Sequence, residues 1–247
     1  MQVSGGIRVA AAAVSLTGVL LVAPGSAAAS PYVHAHRGGS LATQDREQRP
    51  RFGEETMPAF RDSARRGFVL ELDTKLSADG VPLVIHDARL DRTTACDGLV
   101  AERTAAEIRR HCPVDVLGTG DTLRQLSRSS ERRRPVPLLR KVLRLARREG
   151  SEVNLEIKNV PTDPDFDTSD GFARAVAADL RRSGFPPSRL ILQSFWPPNL
   201  NVIEADPYFE LAETALLTLA PLNDRGPAAA HESGYEWISP AWPAPGR

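Results

Sequence analysis

Apolar and polar positions along this chain follow two alternating rhythms. Short apolar runs rich in Val, Ile and Leu are separated by stretches in which apolar residues recur every third or fourth position. The first rhythm predicts strands over 32–36, 68–73, 82–86, 152–157, 189–193, 213–218 and 236–239. The second predicts helices over 56–66, 104–110, 137–149, 170–183 and 198–205, with Leu138, Val142, Leu143, Leu145 and Ala146 forming one helical stripe. Such alternation implies a parallel sheet with helical crossovers.

Four of the strand-like runs carry charge where a buried strand should not. Tyr32-Val33 leads into His36-Arg37-Gly38, Val69-Leu70 into Glu71-Leu72-Asp73, Val84-Ile85 into His86-Asp87, and Val153-Asn154-Leu155 into Glu156-Ile157-Lys158. A charge without a partner or ligand is costly to bury, so the repetition points to a constructed site. His36, Asp73, His86 and Lys158 all fall at the C-terminal ends of predicted strands, where a closed parallel barrel keeps its working residues. The expected fold is therefore α/β, a TIM-type (β/α)8 barrel in preference to an open doubly wound sheet.

Length and charge narrow this further. The chain has 247 residues, an ordinary size for one such barrel, and 31 basic against 31 acidic residues argue against a general nucleic-acid binder. Only Lys75, Lys141 and Lys158 are lysines among the basic residues. Residues 1–29 read as a secretory signal peptide: Arg8 precedes an apolar run from Val9 to Val22, and Ala27-Ala28-Ala29 offers a small-residue cleavage site. The run is short for a membrane span, so the expectation is a secreted protein without stable membrane insertion, its barrel domain covering 30–247. In an exported chain the only two cysteines, Cys96 and Cys112, most economically form one disulfide.

Residues two apart on a strand share a face, so Glu71 and Asp73 point the same way, as do Glu156 and Lys158. Three carboxylates without a thiolate favour Ca²⁺ or Mg²⁺ over zinc. Lys158 and Arg37 beside such an ion would make a receptor for a phosphate, and His36 and His86 titrate near neutrality as acid and base require. Two segments read as loops at the mouth of the site. Gly39–Gly53 is polar; Pro161–Gly171 is acidic and lacks the glycine and glutamate of a calcium loop, so it reads as solvated. Ser127–Arg134 reads as a charged surface connection.

These strings together resemble the signature of the glycerophosphodiester phosphodiesterase family. That signature runs from His-Arg-Gly through Glu-Asn-Thr, Glu-x-Asp and His-Asp to Glu-x-Lys. This chain supplies His36-Arg37-Gly38, Glu54-Glu55-Thr56, Glu71-Leu72-Asp73, the run from Ala78 to Asp87, Leu90-Asp91-Arg92-Thr93-Thr94 and Glu156-Ile157-Lys158, with Gln193-Ser194-Phe195 matching a later strand end. Glu55 stands where the signature has asparagine, and the segment between Gly38 and Glu54 is longer than typical. The resemblance implies a barrel that hydrolyses small-molecule glycerophosphodiesters to glycerol 3-phosphate and an alcohol through a cyclic phosphate. It implies Glu71, Asp73 and Glu156 as ligands of a divalent metal, His36 and His86 as catalytic base and acid, Arg37 and Lys158 as phosphate ligands, and Glu54 in support. After Trp237-Ile238-Ser239-Pro240 the sequence ends at Arg247, before the family's final Trp-Thr-x-Asn strand, so a barrel lacking its last strand and helix is expected. Two alternatives stay open: a phospholipase C- or D-like enzyme acting on intact lipid, and a truncated, non-catalytic barrel.

Overall fold

The computed structural model describes residues 33–39, 50–218 and 237–240. The expected leader at 1–29 and residues 40–49 of the first loop lie outside the described residues. β1 (His34–Ala35) runs into a 3-10 turn over His36–Gly38, followed by α1 (Met57–Arg65) and β2 (Val69–Leu76). The short β3 (Pro82–Val84), α2 (Ala105–His111), β4 (Val116–Leu117) and β5 (Arg124–Gln125) come next. Helix and strand then alternate through α3 (Leu139–Glu149), β6 (Val153–Ile157), α4 (Gly171–Ser183), β7 (Leu190–Ser194), α5 (Pro197–Glu204), β8 (Glu213–Thr218) and β9 (Trp237–Pro240).

β1, β2, β6, β7, β8 and β9 form one row of parallel neighbours in that order. The row advances one neighbour at a time, the progression of a TIM-type barrel and not the reversal of a doubly wound sheet. Among the described residues the row holds six strands, whereas the apolar pattern suggested seven. The difference is the segment 82–86, which leaves the row: β3 covers only 82–84 and pairs antiparallel with β2, Thr74 opposite Val84 and Leu76 opposite Pro82. The cause is the turn between them. Ser77 accepts the Gly80 N–H at 2.9 Å and its hydroxyl contacts Asp79, and so short a connection returns a chain antiparallel; a parallel return needs a crossover of about a dozen residues or more.

Helices cover one face of the row. Leu70, Leu72, Val153, Leu155, Leu190 and Leu192 share one apolar cluster with Leu139, Val142 and Leu143 of α3 and Phe172, Val176 and Leu180 of α4. Each such side chain contributes roughly 1.5–3 kcal/mol on full burial. A second cluster, including Leu83, Ile85, Leu90, Ile108, Val114 and Val136, forms the heart of the excursion between β2 and α3. The expected Cys96–Cys112 disulfide is present in this excursion and ties residue 96 to the end of α2. No helix among the described residues is long and apolar enough to cross a membrane.

Candidate active site

The face of β2 opposite Leu70 and Leu72 carries Glu71, Asp73 and Lys75. Parallel register sets Asp73 against Glu156 of β6, and Glu156 against Gln193 of β7. One oxygen from each of Glu71, Asp73 and Glu156 consequently lies within 4.8 Å of the others, all three side chains being buried. Lys158 leans back over this group: its Nζ donates to Glu156 Oε1 at 3.0 Å and lies 3.5 Å from Asp73 Oδ1. Gln193 Nε2 donates to Glu71 Oε1 at 3.2 Å.

The turn after β1 brings Arg37 to the same place. Its φ of 51° is left-handed, a strained conformation for a non-glycine residue that its contacts hold in place. The Arg37 N–H donates to Glu71 Oε2 at 2.6 Å, Nη1 donates to Glu54 Oε1 at 3.4 Å, and Nε stands 3.7 Å from Asp73 Oδ2. Glu54 is delivered by two glycines. Gly118 accepts the Glu54 N–H and donates to the Phe52 carbonyl, both at 2.9 Å; a Cβ on Gly53 would meet the Val116 carbonyl at 2.5 Å, and one on Gly118 the Thr122 carbonyl at 2.3 Å. Side chains larger than hydrogen would force these segments apart.

His86 follows β3, so the hairpin excursion and not a strand of the parallel row presents it. Its Nδ1 is 2.6 Å from Asp87 Oδ1. Arg92 bridges Asp87 to Glu54, donating Nη2 to Glu54 Oε1 at 2.6 Å, while Thr119 Oγ1 donates to Glu54 Oε2 at 2.7 Å. A continuous chain of contacts thus runs from His86 through Asp87, Arg92 and Glu54 to Arg37. The sequence assigned no role to Asp87 or Arg92; the signal available was their place in His86-Asp87 and Leu90-Asp91-Arg92-Thr93-Thr94. His86 and Lys158 also line a cavity of about 460 Å³ that Phe195 and Asp163 share.

The electrostatics divide the site. Burial works against the Glu54 and Asp87 carboxylates, but hydrogen bonds and charges from Arg92, His86 and Arg37 outweigh it and hold both below the usual range. Asp73 is likewise held low against its burial by Lys158, His86 and Arg37. Glu71 and Glu156 move the other way: burial and the adjacent Asp73 charge push Glu71 well above its ordinary value and Glu156 to about 8. Desolvation, followed by the Arg37 charge, lowers the His36 imidazole, which favours its neutral, proton-accepting form at pH 7.

Two expectations need correction here. Glu55, noted only as a departure from the signature, sits inside the site with a φ of 56°: its Oε1 accepts the Asp73 N–H at 2.9 Å, and burial with the Asp73 and Glu71 charges raises its carboxyl well above the ordinary value. The acidic loop at 161–171 is not simply solvated. Fully buried Lys75 donates to Asp163 Oδ2 at 2.6 Å and Asp165 Oδ1 at 2.9 Å, pinning the loop over the strand end.

The sequence model of the glycerophosphoryl diester phosphodiesterase family matches residues 36–238, which include every residue of this cluster. The chain belongs to that family. Glycerophosphodiester phosphodiesterase 1 of Bos taurus is 39% identical over 80 residues, 32% of this chain and 22% of the bovine protein. The match thus spans about a fifth of that relative's length. A crystal structure from Silicibacter pomeroyi assigned to the same family superposes with a TM-score of 0.63 at 24% identity, covering 84% of this chain and 74% of that one. A phosphodiesterase of Oleispira antarctica, solved in complex with the product sn-glycerol-3-phosphate, gives a TM-score of 0.59 at 20% identity, covering 85% and 84%. In this family member the signature residues His36, Arg37, Glu54, Glu71, Asp73, His86, Glu156 and Lys158, dispersed over about half of the sequence, converge at one end of the parallel row.

Proposed function

We propose that this chain hydrolyses glycerophosphodiesters to glycerol 3-phosphate and an alcohol, with Glu71, Asp73 and Glu156 holding a divalent cation, Ca²⁺ or Mg²⁺. The observation that carries this reading is the meeting of those three oxygens within 4.8 Å, flanked by Lys158 and Arg37. The donor set fits such an ion: all ligands are hard carboxylate oxygens, and the raised Glu71 and Glu156 show a local surplus of negative charge that a cation would relieve. When bound, the ion supplies fixed positive charge to offset the charge that builds on the phosphoryl oxygens. Arg37 and Lys158 grip the phosphate from either side, the guanidinium through two donors at once.

His36 accepts the proton of the glycerol 2-hydroxyl as that oxygen attacks phosphorus, and His86 donates a proton to the departing alkoxide. The cyclic phosphate so formed is opened by water with the two roles reversed, which releases glycerol 3-phosphate and restores both imidazoles. Asp87 beside His86 Nδ1 orients that ring and leaves Nε2 for the transfer. The product held by the Oleispira antarctica neighbour supports this substrate class. We further propose that the chain is exported, on the strength of the leader-like residues 1–29. The test is release of glycerol 3-phosphate from glycerophosphocholine by the purified protein with Ca²⁺, with Mg²⁺ and with chelator. Ion-dependent release is expected; no release under any of these conditions would overturn the reading.

A further inference from the structure

Away from the carboxylate cluster, a cavity of about 490 Å³ opens between the segment 50–53 and the β4–β5 hairpin with the connection that follows it. Arg51, Arg124, Arg132 and Arg134 line it around a partly apolar wall that includes Phe52 and Val116, and no aspartate or glutamate is among its described lining residues. Among the described residues none of the four guanidiniums has a carboxylate partner. Arg134 donates to the backbone carbonyls of Glu131 and Arg133, Arg51 lies 5.7 Å over the Phe52 ring, and the nearby Asp115 is engaged by Arg133. Ser127–Arg134 is the mostly exposed charged connection the sequence pattern suggested, and two of its arginines, Arg132 and Arg134, line the rim of this cavity with the exposed Arg51 and Arg124.

Four guanidiniums around one cavity repel one another, and no carboxylate among the described residues pairs with any of them. A multivalent oxyanion offsets that repulsion, because each planar guanidinium can present two donors to phosphate oxygens. The volume lies within the range of small-molecule sites, and the Phe52 and Val116 side chains offer an apolar surface to an organic moiety. We propose that this cavity is a second anion site, separate from the catalytic cluster, that binds the phosphate of an organic phosphate bearing at least two negative charges. The proposal does not depend on the hydrolytic reading. Two sources share that chemistry: a further phosphate on an extended glycerophosphodiester substrate, and an independent phosphorylated small molecule.

Pyrophosphate is the binding probe, titrated calorimetrically into the full chain at low ionic strength with chelator, so that the metal-free carboxylate cluster disfavours anions. One equivalent should bind, with affinity falling as salt is raised. Arg124→Ser combined with Arg132→Ser should weaken binding at least tenfold and each single change should weaken it less, whereas Arg128→Ser, an exposed control outside the cavity, should leave it intact. Absence of binding, unchanged binding in the double variant, or an equal loss in the Arg128 control would overturn the proposal. The kinetic arm distinguishes the sources: a KM rise in the double variant confined to a glycerophosphodiester with a second phosphate assigns the site to substrate, and unchanged KM for that compound and for glycerophosphocholine assigns it to an independent ligand. Should the protein hydrolyse neither compound, the hydrolytic reading fails while the calorimetric result still decides this one.

Discussion

Replacing Lys75 by Met tests how the wall of the site is held. Lys75 is on the carboxylate-bearing face of β2, its side chain is fully buried, and its ammonium is shared between Asp163 and Asp165. The Asp165 side chain is only 4% exposed and Asp163 28%, so removing the lysine strands at least one carboxylate in a place water barely reaches. Breaking a buried pair from one side costs about 3–5 kcal/mol, most of it the uncompensated charge left behind. For a domain of this size about 1 kcal/mol shifts Tm by 2–4 °C, so Lys75→Met should lower Tm by roughly 6–20 °C. Adding Asp165→Asn removes the stranded charge and should recover at least about 1 kcal/mol, a coupling that a double-mutant cycle in urea reads directly. Because Asp163, Thr162 and Pro164 share a cavity wall with His86 and Lys158, Lys75→Met should also raise KM more than it lowers kcat. A Lys75→Met protein that unfolds within about 0.5 kcal/mol of wild type, the range of ordinary surface changes, would refute the anchoring argument.

Asp73→Asn should abolish both activity and the rise in Tm on adding Ca²⁺ or Mg²⁺; a variant retaining the wild-type ion response by calorimetry would exclude Asp73 as a ligand. His86→Ala should cost roughly 10²-fold or more in kcat, so full activity would exclude it from proton transfer. Reducing Cys96–Cys112 should lower stability by about 3 kcal/mol in the chain-entropy model, measured as the difference between oxidised and reduced unfolding curves; identical curves would contradict it. Glu156, raised to about 8, binds its proton more tightly folded than unfolded, so its contribution to metal-free stability is complete below its unfolded pKa and is lost as pH rises through about 8. Protons and ion therefore compete, and the ion-induced rise in Tm should be larger at pH 8 than at pH 5.5; an equal rise at both would refute the competition.

What the sequence disclosed depended on how locally each feature is encoded. The bounds of α3 and β6 follow from apolar spacing and lie within two residues of expectation, because both elements bury a continuous stripe. The meeting of Asp73 with Glu156 was foreseen from motif order, but its cause, a parallel register between residues 83 positions apart, is a tertiary fact that no local pattern contains. The hairpin at β3 is encoded in the turn Ser77-Ala78-Asp79-Gly80, whose signal is masked by the apolar run that follows it and resembles a buried strand. Lys75 and Arg92 were missed for another reason. Each is a lone cation in sequence, and only folding supplies the paired carboxylates that make it structural.

The two halves of the site are completed by different means. Around Glu54 and Asp87 both carboxylates pair with Arg92 and Glu54 also with Arg37, which holds both below their ordinary range. Around Glu71 and Glu156 the local cations are Arg37 and Lys158, and Asp73 draws on both. Glu55 enlarges the deficit. Glu55 Oε1 accepts the Asp73 N–H, while Glu55 Oε2 and Asp73 Oδ2 are buried without a hydrogen-bond partner, Arg37 Nε standing 3.7 Å from the latter. Unpaired buried oxygens of this kind are costly, and two of them face a cluster already crowded with negative charge. The side on which burial and neighbouring charge raise the Glu71 and Glu156 carboxyls is the one whose donor set matches a divalent cation.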